Sequence, residues 1–86
     1  MALDVTTVVG LVAGLLTTIS LVPQVAKIWR SKSAKDISLK MFAAFSTGVA
    51  LWLTYGLLQQ EFPMILWNGV SLLLALTIVG MKLKFR

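Results

Sequence analysis

Asn68 sits in the apolar run Pro63-Met64-Ile65-Leu66-Trp67-Asn68-Gly69-Val70, where an amide needs hydrogen-bond partners that hydrocarbon cannot supply. A second helix could satisfy it, and so could a hydroxylated solute. Trp52 tips the reading toward a solute. It lies six residues before the end of one apolar stretch, and Asn68 lies five residues after the start of the next. At helical rise both are then roughly 8 Å below the same membrane boundary. The flat indole face suits the C–H face of a sugar ring, and the amide suits its hydroxyls. Trp52 and Asn68 are therefore the candidate substrate-binding residues.

Tyr55 follows Trp52 by one helical turn, on the same face. It reads either as an interfacial tyrosine or as a gate closing over Trp52 and Asn68. At the other end of that helix, Met41, Phe42 and Phe45 are bulky apolar residues suited to an inner gate, to packing or to lipid contact. Pro23 lacks an amide hydrogen and crowds the carbonyl of Ile19, so the first helix is expected to bend there or to end soon after. Thr18, Ser20 and Gln24 are placed to satisfy the freed backbone groups. Pro23 and Gln24 thus mark either a static kink or a hinge able to open one end of a passage.

Other chemistry is poorly supplied. The chain has neither Cys nor His, which removes disulfides, thiol nucleophiles, imidazole bases and most transition-metal sites. No catalytic set, metal site or cofactor is expected, and the protein is not expected to be an enzyme. Asp4, Asp36 and Glu61 all fall at or beyond helix ends, so no intramembrane carboxylate is available to relay protons or bind a coupling cation.

The elements that position these residues are membrane spans. The chain of 86 residues is 58% hydrophobic and 13% charged, too apolar for a small soluble domain. Residues 5–25, 39–58 and 63–81 each approach the ~20 helical residues needed to cross a bilayer. All eight Lys and Arg residues lie either between the first two stretches or after the third. Short basic loops stay in the cytoplasm, so Met1 is expected outside and Arg86 inside. The net charge of +5 is read as attraction to the membrane surface, not to nucleic acid, because no aromatic-interleaved basic patch accompanies it. The start Met1-Ala2-Leu3-Asp4 has no basic leader, and the first stretch is expected to be retained as a span.

Lys27 to Ser38 reads as a basic loop with Trp29 at the headgroups, and Ser38 or Asp36 as the cap of the second helix. Gln59 to Phe62 forms a short link that makes the second and third spans antiparallel neighbours, with Pro63 in the first turn of the third. Small-residue pairs spaced by four, namely Gly10 with Gly14, Ala44 with Gly48, and Ser71 with Ala75, mark places for close helix approach. The expected fold is an all-α, three-helix membrane bundle forming one domain over residues 1–86. Three helices about 10 Å apart cannot enclose a gated solute pathway. A parallel homodimer with six helices is the smallest assembly that can.

Thr17-Thr18-Ile19-Ser20-Leu21-Val22-Pro23-Gln24-Val25, Asp36-Ile37-Ser38, Gly48-Val49-Ala50-Leu51-Trp52, Tyr55-Gly56, Pro63 and Asn68 together resemble the SemiSWEET sugar transporters of the PQ-loop superfamily. The resemblance spans nearly the whole chain. It implies a homodimeric, alternating-access sugar uniporter in a prokaryotic inner membrane. It assigns Trp52 and Asn68 to the sugar pocket, Tyr55 to the extracellular gate and Pro23 to the hinge. Met41 and Phe42 fall where that family has its inner gate. Some members carry an Arg and an Asp after the gate tyrosine; here those positions are Gln59 and Glu61, so Tyr55 would close the gate with them by hydrogen bonds.

Two other readings stay open. A holin-like pore or small membrane helper subunit would share the short length and basic tail but would leak unselectively. A PQ-loop transporter of another neutral metabolite would keep the same pocket. A Trp and an Asn accept either a monosaccharide or a disaccharide.

Overall fold

A computed structural model describes residues 4–86, which form four helices: α1 (Val5–Ile19), α2 (Val22–Ser31), α3 (Leu39–Gln59) and α4 (Phe62–Phe85). Met1 and its expected location outside the cell fall beyond the described residues. Val5–Ser31, Leu39–Gln59 and Phe62–Phe85 are each long and apolar enough to cross a membrane. The protein is an all-α, multi-pass membrane protein.

Local chemistry sets the helix ends. The Asp4 carboxylate accepts from the Thr7 amide at 2.8 Å and caps α1. Ser38, not Asp36, caps α3 by accepting from the Met41 amide at 3.1 Å. α3 stops where Gln60 turns left-handed (φ 54°), and the amide of Glu61 then returns to the carbonyl of Gly56 at 3.0 Å. Only Gln60 and Glu61 separate α3 from α4, and Pro63 lies in the first turn of α4.

The first span differs from expectation in two ways. Its interruption falls at Ser20 and Leu21, before Pro23, which sits in the first turn of α2. A proline harms the turn that precedes it and fits a helix start, so the break moves upstream of the ring. At the break Leu21 donates to the Thr18 carbonyl at 3.0 Å, a bond one residue shorter than the α-helical one. Ser20 Oγ donates to the Thr17 carbonyl at 2.6 Å and Thr17 Oγ1 to that of Gly14 at 3.2 Å. The second difference is that Lys27 to Ser31, expected as loop, is the end of α2. Arg30 there complements the negative end of the helix dipole. Lys32 (φ 55°) then ends the helix, its ammonium 3.7 Å above the Trp29 ring.

The helices form one layer, 43 × 21 × 14 Å overall, with α4 in the middle. No Cα of α3 comes within 8 Å of α1 or α2. α1 runs parallel to α4: Gly10 meets Pro63, Gly14 meets Trp67 and Thr18 meets Ser71, each pair 53 residues apart in sequence. α3 packs antiparallel on the other flank of α4 through Phe42, Ser46, Val49 and Gly56. A Cβ on Gly56 would come 3.0 Å from Met64 Cγ. Gly48 has open space beside it and Ala44 is exposed, so this small-residue pair makes no close approach within the chain. The apolar core, comprising Leu21, Ile28, Ala34, Phe42, Ile78 and Met81, lies at the basic end of the layer. There the Lys82 ammonium donates to the Ala34 carbonyl at 3.0 Å and ties α4 to the segment joining α2 and α3.

Candidate functional site

At the end of the layer formed by the α3 and α4 hairpin, α1 and α4 line a half-open cavity of about 530 Å³. Hydroxyls line it from both helices, Thr7, Thr17 and Thr18 from α1 and Ser71 from α4, and Asn68 of α4 adds an amide. Gly10 and Gly14 keep the α1 wall low, and Gln60 and Glu61 stand at the rim. The volume falls within the range of small-molecule pockets, and its lining suits a neutral, hydroxylated guest.

Asn68 is half-buried, and its Nδ2 donates to the Met64 carbonyl of its own helix at 2.9 Å. That bond uses one of two amide hydrogens and leaves the side-chain oxygen free. The amide thus makes no hydrogen bond to another helix among the described residues. Ser71 lies one turn further along α4, its hydroxyl 2.8 Å from that of Thr18. Trp67 packs on Gly14 and buries its indole N–H without an acceptor.

Trp52 is not in this cavity. It is 56% exposed on α3 and meets Tyr55 edge to face, ring centres 5.7 Å apart. Within one chain, therefore, the two proposed sugar contacts lie on different surfaces. By helix position they remain level, Trp52 seven residues from the hairpin end of α3 and Asn68 six residues into α4, each about 10 Å deep. Met41, Phe45, Gly48, Trp52, Tyr55 and Gln59 follow one another at steps of three and four, forming a stripe along α3. That stripe lies about a quarter turn from the face packed on α4. All of its side chains are exposed; Gly48 is partly covered but has nothing beside it within 4 Å.

Phe42 stands apart from Met41 and Phe45. It is 3% exposed in the core and contacts the Phe45 ring edge to face at 6.0 Å. A second cavity, about 580 Å³, opens at the basic end, lined by Gln24, Lys27, Ser31, Asp36, Met41 and Phe42 among others. Gln24 faces this cavity, and Pro23 is exposed beside the break in the first span.

Sequence reasoning missed Thr18, Ser71 and Trp67 as a group. The signal was the matched spacing by four of Gly10, Gly14 and Thr18 with Pro63, Trp67 and Ser71, which becomes meaningful only once α1 and α4 are known to be parallel neighbours.

Residues 5–65 match the family model described as the PQ loop repeat. The chain is 46% identical over 77 residues to the sugar transporter SemiSWEET of Bradyrhizobium diazoefficiens, covering 90% of each. Among solved structures, a bacterial homologue of SWEET transporters superposes with a TM-score of 0.92 at 43% identity, over 96% of this chain and 100% of that one. SemiSWEET in an inward-open conformation superposes with a TM-score of 0.85 at 33% identity, over 94% of each.

Proposed function

The chain belongs to the PQ-loop family, in its SemiSWEET group, and we propose that it carries a small neutral sugar across the membrane as a parallel homodimer, by alternating access and without ion coupling. The observation that carries this reading is the hydroxyl- and amide-lined cavity at Asn68, inside a layer of helices too thin to enclose a pathway. A second copy supplies the missing wall. Related by a two-fold axis along the membrane normal, two such layers can bring the unpartnered α3 stripes to a shared central space. Trp52 and Asn68 of both copies then line one pocket about 10 Å below the hairpin-side boundary.

The same assembly gives the remaining residues their roles. Tyr55, with Gln59 and Glu61 near the hairpin end, closes the extracellular side; Met41 and Phe45 close the cytoplasmic side, with Phe42 holding them from the core. The interruption beside Pro23 and Gln24 is the hinge. The basic end, with Lys27, Arg30, Lys32, Lys35, Lys40, Lys82, Lys84 and Arg86, faces the cytoplasm. This orients a single three-span domain in the inner membrane with its N-terminus outside. Asp4 caps α1, Glu61 sits just before α4 and Asp36 lies between α2 and α3, which favours passive exchange over proton coupling.

The test is counterflow of radiolabelled glucose and sucrose in proteoliposomes, with native protein and Asn68→Ala, with and without a proton gradient. Saturable exchange that ignores the gradient and disappears in the variant is the expected result. Release of unrelated small dyes by both proteins would identify a pore instead.

A further inference from the structure

α1 is held to the rest of the chain unevenly. Gly10 on Pro63 and Gly14 on Trp67 are contacts of shape alone. Among the described residues, the 2.8 Å bond between Thr18 and Ser71 is the one side-chain hydrogen bond that joins α1 to another element. It lies two residues before the interruption at Ser20 and Leu21. Both hydroxyls line the same cavity as Asn68.

We propose that the Thr18 and Ser71 hydroxyls form a solute-sensitive latch: a solute hydroxyl that reaches Asn68 and Ser71 displaces Thr18, and α1 is then free to swing at Ser20 and Leu21. The inference rests on the cavity being the sugar site. Asn68 and Ser71 are three residues apart on one helix, so their side chains start about 5–6 Å from each other. That separation suits two neighbouring hydroxyls of a sugar ring. Ser71 exchanges one hydroxyl partner for another and loses little. Thr18 is not stranded either, because a helical Thr or Ser can donate to a carbonyl of the preceding turn, as Thr17 and Ser20 already do. The exchange is nearly balanced, which lets a weakly bound solute shift the position of α1 through its preference for the unlatched state.

Thermal unfolding and sugar binding of the purified full chain test the latch, using Thr18→Val, Thr18→Ser and Ser71→Ala with glucose and sucrose as probes. Thr18→Val keeps the side-chain shape and removes the hydroxyl. It should lower Tm by about 4 °C without sugar, and the gap from the native protein should close at saturating sugar. It should also bind sugar about threefold more tightly, whereas Ser71→Ala, which loses the latch bond and the contact to solute together, should bind within about twofold of native. Thr18→Ser should behave as native. A Tm loss in Thr18→Val that is equal with and without sugar, or native affinity in Thr18→Val, would overturn the latch while leaving sugar transport intact. If neither sugar binds the native protein, the sugar reading and the latch fall together.

Discussion

The Trp67 side chain fills the space that a Cβ on Gly14 would need. This contact sets how closely α1 approaches α4 beside the cavity that holds Asn68. Even a methyl group at Gly14 must push the indole or the helix aside. Gly14→Ala should therefore lower stability by about 1–3 kcal/mol. Pairing it with Trp67→Leu should recover part of the loss, because the smaller side chain vacates that space. A double-mutant cycle on Tm in detergent measures the coupling.

Trp52 and Asn68 occupy different surfaces of one chain and are expected to meet only across two copies. Trp52→Ala and Asn68→Ala should each abolish sugar uptake while the protein remains dimeric in the membrane fraction. Cross-linking after extraction reports the dimer. Disappearance of Asn68→Ala from the membrane would mean that the amide serves packing instead.

Pro23 lies just after the interruption in the first span, where it has no N–H to form the hydrogen bond to the Ile19 carbonyl that would otherwise rejoin α1 and α2. Pro23→Ala permits that bond and stiffens the junction. Exchange rates in counterflow should fall several-fold, with sugar affinity changed by less than about twofold. An equal loss of both would place the proline's effect in the pocket.

Gln60 holds a left-handed conformation at the end of α3. A residue with a Cβ is strained there and glycine is not. Gln60→Gly should raise stability by about 0.5–1 kcal/mol, whereas β-branched Gln60→Val should lower it. Thermal unfolding of the three proteins in one detergent provides the comparison.

Asp4 accepts hydrogen bonds from the Thr7 backbone amide and side chain, which hold its carboxyl below the ordinary value of 3.8. A depressed folded-state pKa means that the cap's contribution is complete above the unfolded value and is lost as pH falls through the folded one. In Asp4→Asn the part of the acid-induced Tm decline due to this group should vanish below about pH 4. An unchanged acid limb would show that the cap is not formed in solution.

Much of the fold is written locally. Three apolar lengths, the basic residues confined to two segments, the Ser38 cap and the tight turn before Pro63 each depend on neighbours within a few residues, and each is readable without knowing what packs where. The helical end of the basic segment is not legible in the sequence, because Lys27 and Arg30 look like loop residues by charge, while a helix C-terminus welcomes cations. Asn68 and Trp52 were visible because polarity and aromatic bulk stand out against apolar sequence.

What sequence alone left open was which helix faces meet. In lipid an apolar side chain is satisfied on any face, so hydrophobicity does not point a span toward its partner. Shape and a few polar contacts decide instead, and these join residues far apart in the chain: Gly14 with Trp67, Thr18 with Ser71, Lys82 with Ala34. They put α4 between α1 and α3 and open the cavity beside Asn68. They also separate Trp52 from Asn68 within one chain. Chain composition determined that there are three spans; only tertiary packing decided their order in the layer, because that order depends on complementary surfaces and not on the preference of any residue for oil or water.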